Sequence, residues 1–159
     1  MNGRPQYESG ADRANENAMW PMLEKALGGT LHKLPQQYGL DWMLCTEEGV
    51  ALKWIELKAR NHEYGAYPTY AISMSKVMRA IALERDTGLP SLLVVRYLNV
   101  VYIAYFRSFI GGGGKGFVRV GGRKDRGDPQ DVEPMWHLPI GQMTKLCDLE
   151  KQDEEKKES

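Results

Sequence analysis

Apolar and polar positions along the chain follow two spacings, one typical of helices and one typical of strands. Helical spacing over 13–27 predicts a first helix, in which Pro21 introduces a kink or a restart. A second helix is predicted over 73–87, with Ser73 at its N-cap, and a short third helix over 141–149. The predicted buried face of the second helix consists of Met74, Val77, Met78 and Ile81.

Between these segments, apolar runs bounded by turn residues predict strands. The predicted strands cover 30–34, 40–45, 51–60, 91–98, 100–106, 117–120 and 135–138. The stretch 61–71 is rich in tyrosine and is predicted to be a loop. The order of helix, three strands, helix and further strands predicts a mixed α/β fold around one sheet.

The length of 159 residues is typical of a single domain. We expect a flexible N-terminal arm at 1–12, one folded domain at 13–150 and a charged, flexible tail at 151–159. A Gly-rich basic loop is predicted at 108–127. Because the chain has neither a membrane-length apolar run nor an apolar signal core, we expect a cytoplasmic protein with no membrane partner.

The charge of the chain is zero overall but is distributed unevenly. Residues 1–52 hold 4 basic and 7 acidic side chains, residues 53–126 hold 13 and 5, and residues 127–159 hold 4 and 9. A basic middle segment is typical of a surface that binds phosphates. The alternative is chance clustering on a solvated surface.

The segments 40–46 and 51–57 are predicted to pair as an antiparallel hairpin. A four-residue turn between them places Asp41 directly opposite Glu56, and Lys58 lies on the same face as both. The other face of the hairpin is predicted to be core and carries Leu40, Trp42, Leu44, Ile55 and Leu57.

Two carboxylates at opposed positions repel each other, and a shared cation removes that penalty. Mg²⁺ prefers such oxygen ligands and needs few of them, and Lys58 could orient water or offset charge in the transition state. The alternative is an exposed strand face with a weak salt-bridge cluster. Trp54 shares the face of Asp41 and Glu56, and packing under the first helix is favoured over stacking on a base.

The motif resembles that of the PD-(D/E)XK nucleases, in which an acidic residue ends one strand and Glu-x-Lys follows in the next. Asp41 and the run Glu56-Leu57-Lys58 carry the resemblance, and the order of elements over 13–106 agrees with it. One departure is that Leu40, rather than proline, precedes Asp41.

The resemblance implies a restriction-endonuclease-like αβββαβ core with a mixed central sheet flanked by helices, so that 13–150 would be a single nuclease domain. It also implies a Mg²⁺ cofactor, with Mn²⁺ as a substitute, and DNA as partner. The Leu57 carbonyl would be an additional metal ligand beside Asp41 and Glu56, and Glu16 a supporting catalytic acid and ligand, with Glu24 as the weaker alternative. Similarity to Holliday-junction resolvases or small phage and repair endonucleases implies action in the cytoplasm of a bacterial or phage-infected cell. A resolvase would need a homodimer to cut two strands symmetrically.

Two groups of polar residues are candidates for nucleic-acid binding. The first turn of the second helix offers Ser73, Ser75 and Lys76, for which simple helix capping is the alternative. The Gly-rich loop offers a mobile flap with Lys115, Arg119, Arg123 and Lys124, for which an inert loop is the alternative. Tyr70 is a further candidate for contact with the nucleic-acid backbone.

The hypothesis that follows is a Mg²⁺-dependent DNA endonuclease with Asp41, Glu56, Lys58 and Glu16 at its centre. A nucleic-acid-binding protein that keeps the fold without cleaving is the main alternative. A small structural or assembly protein is another, and it predicts no affinity for metal.

Overall fold

The computed structural model describes residues 20–109, 116–122 and 132–149. The predicted arm at 1–12 and tail at 151–159 lie outside these ranges, as does most of the basic loop. The helices are α1, residues 20–27, and α2, Met74–Thr87. The strands are β1 Thr30–Lys33, β2 Trp42–Cys45, β3 Ala51–Ala59, β4 Thr69–Ser73, β5 Ser91–Tyr97, β6 Val100–Tyr105, β7 Phe117–Gly122, β8 Val132–Pro139 and β9 Thr144–Asp148.

Six strands form a mixed sheet in the order β1-β2-β3-β5-β6-β9. Strands β3 and β5 run parallel, and the other neighbours run antiparallel. Because parallel neighbours need a crossover, the chain leaves β3, passes through β4 and α2, and returns along β5. Strands β4, β8 and β7 form a second, antiparallel sheet.

The central strand β5 is buried on both faces, as a near-continuous apolar sequence requires. On one face of the sheet, Leu23 of α1 packs against Trp42 and Ile55. On the other face, Val77 of α2 packs in a separate cluster with Trp54. The two helices therefore cover opposite faces of the sheet, and both faces of the β2–β3 hairpin are buried.

Two details of this packing differ from the sequence prediction. Leu40 lies in the cluster under α2, not with Trp42 and Leu44, because it precedes β2 and does not follow the strand alternation. Trp54 is buried as predicted, but α2 covers it, and its Nε1 donates a hydrogen bond to Thr87 Oγ1 at 3.0 Å.

The predicted face of α2 was wrong at one position. Met78 is 62% exposed, whereas Ala80 is fully buried beside Val77. The small side chain of Ala80 lets α2 lie close to the sheet. Burial on this face of α2 therefore depends on how closely the helix approaches the sheet as well as on the hydrophobicity of each side chain.

Two elements were wrongly predicted from local pattern. The loop expected over 61–71 ends earlier, because residues from Thr69 onward form β4 and pair with β8. The helix expected over 141–149 is the edge strand β9, which pairs antiparallel with β6. In both cases the partner strand lies far away in sequence, and tertiary pairing outweighs the local pattern.

Neither helix in the described ranges has both the length and the apolar character needed to cross a membrane.

Candidate active site

The β2–β3 hairpin has the register that its alternation predicted. Trp42 lies opposite Ile55, and Met43 lies opposite Trp54. Continued by one residue, this register sets Asp41, directly before β2, opposite Glu56. The ladder shifts only between Leu44 and Cys45, towards the turn and away from the acidic pair.

Glu56 is a charged residue in the centre of the sheet and is 0% exposed. Its Oε1 lies 3.1 Å from Lys58 Nζ and 3.3 Å from Lys76 Nζ. Both distances are those of ion pairs, yet within the described residues Oε1 has no hydrogen bond of good geometry. Burial raises the pKa of the Glu56 carboxyl, Lys58 and Lys76 oppose that rise, and Asp41 adds to it.

Lys58 follows Glu56 by two residues on β3, and its side chain is 38% exposed. Burial favours the neutral amine, but the charges of Glu56 and Asp41 outweigh this effect and raise the pKa of Lys58. The side chain is therefore an ammonium at neutral pH. It can stabilise negative charge or donate a hydrogen bond, but it cannot accept a proton.

Lys76 joins the acidic pair from the first turn of α2. Its Nζ donates to the Gly39 carbonyl at 2.6 Å and to Glu56 Oε2 at 3.4 Å. Gly39 lies two residues before Asp41. The Lys76 ammonium therefore connects α2 to Glu56 on β3 and to the loop before Asp41. Gly39 has φ 78°, and an added Cβ would lie 2.8 Å from Arg79 Cγ, so this position favours glycine.

The donor set fits a hard divalent cation. Asp41, directly before β2, and Glu56, on β3, can supply carboxylate oxygens, and Glu56 Oε1 lacks a hydrogen bond among the described residues. Those residues contain no group of three or more His, Cys, Asp or Glu side chains placed to hold a metal. Two carboxylates nevertheless suffice for Mg²⁺, which keeps several waters and takes substrate phosphate as ligand.

The remaining predicted ligands have different outcomes. Leu57 is buried on β3 beside Val94 of β5, and the role of its carbonyl stays a prediction. Glu16 lies outside the described residues. The Glu24 carboxylate accepts a hydrogen bond from the Leu31 amide of β1 at 2.9 Å. This contact gives Glu24 a structural role, in fixing α1 to the start of β1.

Only some of the residues predicted to contact nucleic acid lie close to one another in the structure. Ser73 and Ser75 lie beside each other at the start of α2, with their Oγ atoms 2.7 Å apart and no side-chain cap bond from Ser73. Arg119 is exposed on β7, on the other side of β8 from Ser73, since both pair with Met135, and its guanidinium lies over the Phe117 ring at 5.4 Å. The other predicted loop residues, Lys115, Arg123 and Lys124, lie outside the described residues.

Sequence reasoning missed a cleft that lies beyond the acidic pair, past the end of β3. Arg60 continues the alternation of Glu56 and Lys58, and its Nη2 donates to the Tyr70 hydroxyl at 2.9 Å. Tyr70 was a candidate for contact with nucleic acid, but it is only 3% exposed. Its hydroxyl therefore holds Arg60. The period of two along β3 was the signal that could have identified Arg60.

Comparison with known proteins agrees with this architecture. A family model described as "Phage putative PDDEXK endonuclease" matches residues 2–146. The structure of Hjc from Archaeoglobus fulgidus, a Holliday junction resolvase from an archaeal hyperthermophile, is similar with a TM-score of 0.55. The two chains are 11% identical, and the match covers 86% of this chain and 92% of Hjc. No curated protein matches the sequence.

At this identity the likeness to Hjc concerns the fold alone. It confirms the predicted restriction-endonuclease-like α/β fold with a mixed central sheet. The family match covers most of the chain, including both strands of the acidic hairpin and helix α2. The chain therefore belongs to the phage PDDEXK endonuclease family, within the PD-(D/E)XK nuclease superfamily.

Proposed function

We propose that this nuclease is a divalent-metal-dependent DNA endonuclease whose catalytic centre consists of Asp41, Glu56 and Lys58. The observation that carries the proposal is the fully buried Glu56 carboxylate, which lies against two ammonium groups and whose pKa the charge of Asp41 helps to raise. Burying a charge is costly, and perturbed acids of this kind concentrate at functional sites. A purely structural residue at this position would more simply be apolar.

Asp41 and Glu56, with the Leu57 carbonyl, would hold Mg²⁺ or its substitute Mn²⁺. When bound, such an ion polarises a phosphoryl oxygen and lowers the pKa of a water ligand. Lys58 lies at the partly exposed side of the pair, where its ammonium can orient the attacking water and stabilise charge on the scissile phosphate. Glu16 remains our proposal for a supporting acid.

Lys76 has a different role in this proposal from the one its position in sequence suggested. Its ammonium is already engaged by the Gly39 carbonyl and Glu56, so it holds the Glu56 carboxylate and the loop before Asp41 in place rather than binding phosphate. Ser73 and Ser75, at the start of the same helix, and Arg119, on β7, are better placed to contact the substrate backbone, because their side chains are half-buried or exposed.

Three further observations support DNA as the substrate. The family is described as an endonuclease family, Hjc is a junction resolvase, and residues 53–126 carry the excess of basic side chains. We propose that 13–150 forms one nuclease domain that acts in the cytoplasm. Symmetric cleavage of a junction would need a homodimer, which sedimentation of the purified protein would detect.

Cleavage assays with single-stranded, duplex and branched DNA test the proposal. We expect products with Mg²⁺ or Mn²⁺, none with EDTA, and at least about a 100-fold loss of rate in Glu56→Gln and Lys58→Met. The matched controls are Glu47→Gln, in the exposed turn, and Lys25→Met, on the exposed face of α1.

Each alternative function predicts a different result in these assays. Cleavage that persists in EDTA or in both active-site variants would contradict the proposed centre. DNA binding without cleavage under any condition would favour the non-cleaving alternative. An absence of both DNA binding and metal affinity would favour the structural or assembly protein.

A further inference from the structure

A cleft of about 280 Å³ opens beyond the carboxyl end of β3. We call it the aromatic cleft, and its lining includes Arg60, His62, Tyr67, Tyr97 and His137. Its volume is close to the lower end of the range for small-ligand sites, about 300–1,000 Å³. It therefore has room for one group of modest size and not for a double helix.

Packing of the loop between β3 and β4 holds the cleft in shape. Tyr64 stacks on Tyr102 with ring centroids 3.7 Å apart, and its hydroxyl donates to the Ile140 carbonyl at 2.6 Å. Thr69 of β4 and His137 of β8, which both line the cleft, form a hydrogen bond between Oγ1 and Nδ1 at 3.0 Å. The walls are thus fixed by contacts between distant parts of the chain.

The chemistry of the lining suits a nucleotide. Within the described residues, the Arg60 guanidinium bonds the Ala59 carbonyl and the Tyr70 hydroxyl and forms no salt bridge with a carboxylate, so its charge is available to a phosphate. Tyr67 is 60% exposed and is braced edge-to-face by His62, with ring centroids 4.9 Å apart. An exposed, braced aromatic ring offers a surface on which a base can stack.

The position of the cleft connects it to the acidic pair. Glu56, Lys58 and Arg60 alternate along one face of the chain, so Arg60 lies about 13 Å beyond Glu56 at the usual strand rise. That distance corresponds to about four base steps of 3.4 Å. A base in the cleft would therefore belong to a nucleotide close to the bond that is cut.

We propose that the aromatic cleft binds an unpaired nucleotide of the substrate, with its phosphate on Arg60 and its base against Tyr67. A base inside a duplex is stacked on both faces and cannot enter a cleft unless it leaves the stack. The nuclease would therefore prefer DNA with an unpaired segment beside the cleavage site over fully paired DNA. This inference rests on the proposed function and specifies its substrate class.

Fluorescence anisotropy in EDTA tests the inference without cleavage. The probes are a labelled duplex and the same duplex with one splayed, single-stranded end. We expect tighter binding of the splayed DNA, and a loss of about 5- to 100-fold in that affinity for Tyr67→Ala, the effect of one base–aromatic stack. Duplex affinity should not change in this variant.

Tyr105→Ala is the matched control, because Tyr105 packs with the cluster on the opposite face of the sheet. It should leave the preference for splayed DNA intact, and melting curves establish that both variants are folded. Equal binding of the two DNAs by the unmodified protein, or an unchanged preference in Tyr67→Ala, would overturn the inference. If the protein prefers splayed DNA but cleaves no DNA in Mg²⁺, the endonuclease proposal is refuted and the proposed role of the cleft is not. If the protein cleaves DNA but binds splayed DNA and duplex equally, only the proposed role of the cleft is refuted.

Discussion

Replacing Lys76 with methionine should destabilise the protein, because it removes the cation that links Glu56 to the loop before Asp41. At 3.3 Å and an effective dielectric constant of about 20, the lost charge pair is worth about 5 kcal/mol before desolvation. The bond to the Gly39 carbonyl adds about 1.5–3 kcal/mol. Desolvation of Lys76 offsets most of this sum, and Lys58 still neutralises Glu56, so we expect a net loss of about 2–3 kcal/mol.

Urea unfolding in EDTA measures this loss, and a melting temperature lower by about 5–10 °C should accompany it. The loss should also depend on pH. Because the folded-state pKa of Glu56 lies above its unfolded value, its carboxylate costs stability once it ionises, and removing Lys76 enlarges that cost. The difference between Lys76→Met and the unmodified protein should therefore narrow as the pH falls and Glu56 is protonated.

Arg85→Met is the control on the same helix, since Arg85 is 70% exposed and pairs only with its neighbour Asp86 among the described residues. It should leave the urea midpoint nearly unchanged. An equally small effect of Lys76→Met, or a loss that does not narrow as the pH falls, would show that Glu56 does not depend on Lys76.

Three further predictions concern stability. Burial raises the pKa of Tyr97 to about 12, above the unfolded value of about 10, so the stability that Tyr97 contributes should be constant below pH ~10 and be lost between pH ~10 and ~12. Burial also raises the pKa of Tyr70, so the late tyrosine absorbance change at 295 nm should become smaller in Tyr97→Phe without disappearing. Trp54→Phe, which loses the bond to Thr87 and leaves a void, should cost about 2 kcal/mol in urea unfolding. Gly39→Ala should lower the melting temperature more than Gly49→Ala, because both have positive φ but only Gly39 lacks space for a Cβ; equal shifts would contradict this crowding.

The part of the site that lies within one hairpin could be predicted from the sequence. Side chains in strands alternate with a period of two, and a short turn leaves few registers open. That is why the opposition of Trp42 and Ile55 was predicted correctly, and why Asp41 and Glu56 were predicted to face each other.

The contacts that depend on helix packing could not be predicted in the same way. Lys76 follows Glu56 by 20 residues, and its contact exists only because α2 crosses over β3 on that face of the sheet. Helix periodicity identified Lys76 as polar and close to the N-terminus of α2. It did not indicate whether the ammonium would face phosphate, solvent or a carboxylate.

The wrongly predicted elements have a related cause. Met143, Leu146 and Cys147 have helical spacing, yet the segment pairs with the edge of β6 as a strand. A short segment with few apolar residues can fit both the helical and the strand period, so its sequence does not distinguish a short helix from an edge strand when the pairing strand is unknown. Strand β4 was missed because its partner, β8, lies more than 60 residues further along the chain.

The most direct test of the central claim is a titration of the protein with Mn²⁺, followed by electron paramagnetic resonance. If Asp41 and Glu56 hold the ion, the unmodified protein and Glu47→Gln should bind Mn²⁺ alike. Glu56→Gln should then lose at least about 10- to 100-fold in affinity, since loss of a direct ligand should cost no less than loss of an outer-shell partner. Equal Mn²⁺ affinity in Glu56→Gln and the unmodified protein would contradict the proposed metal centre.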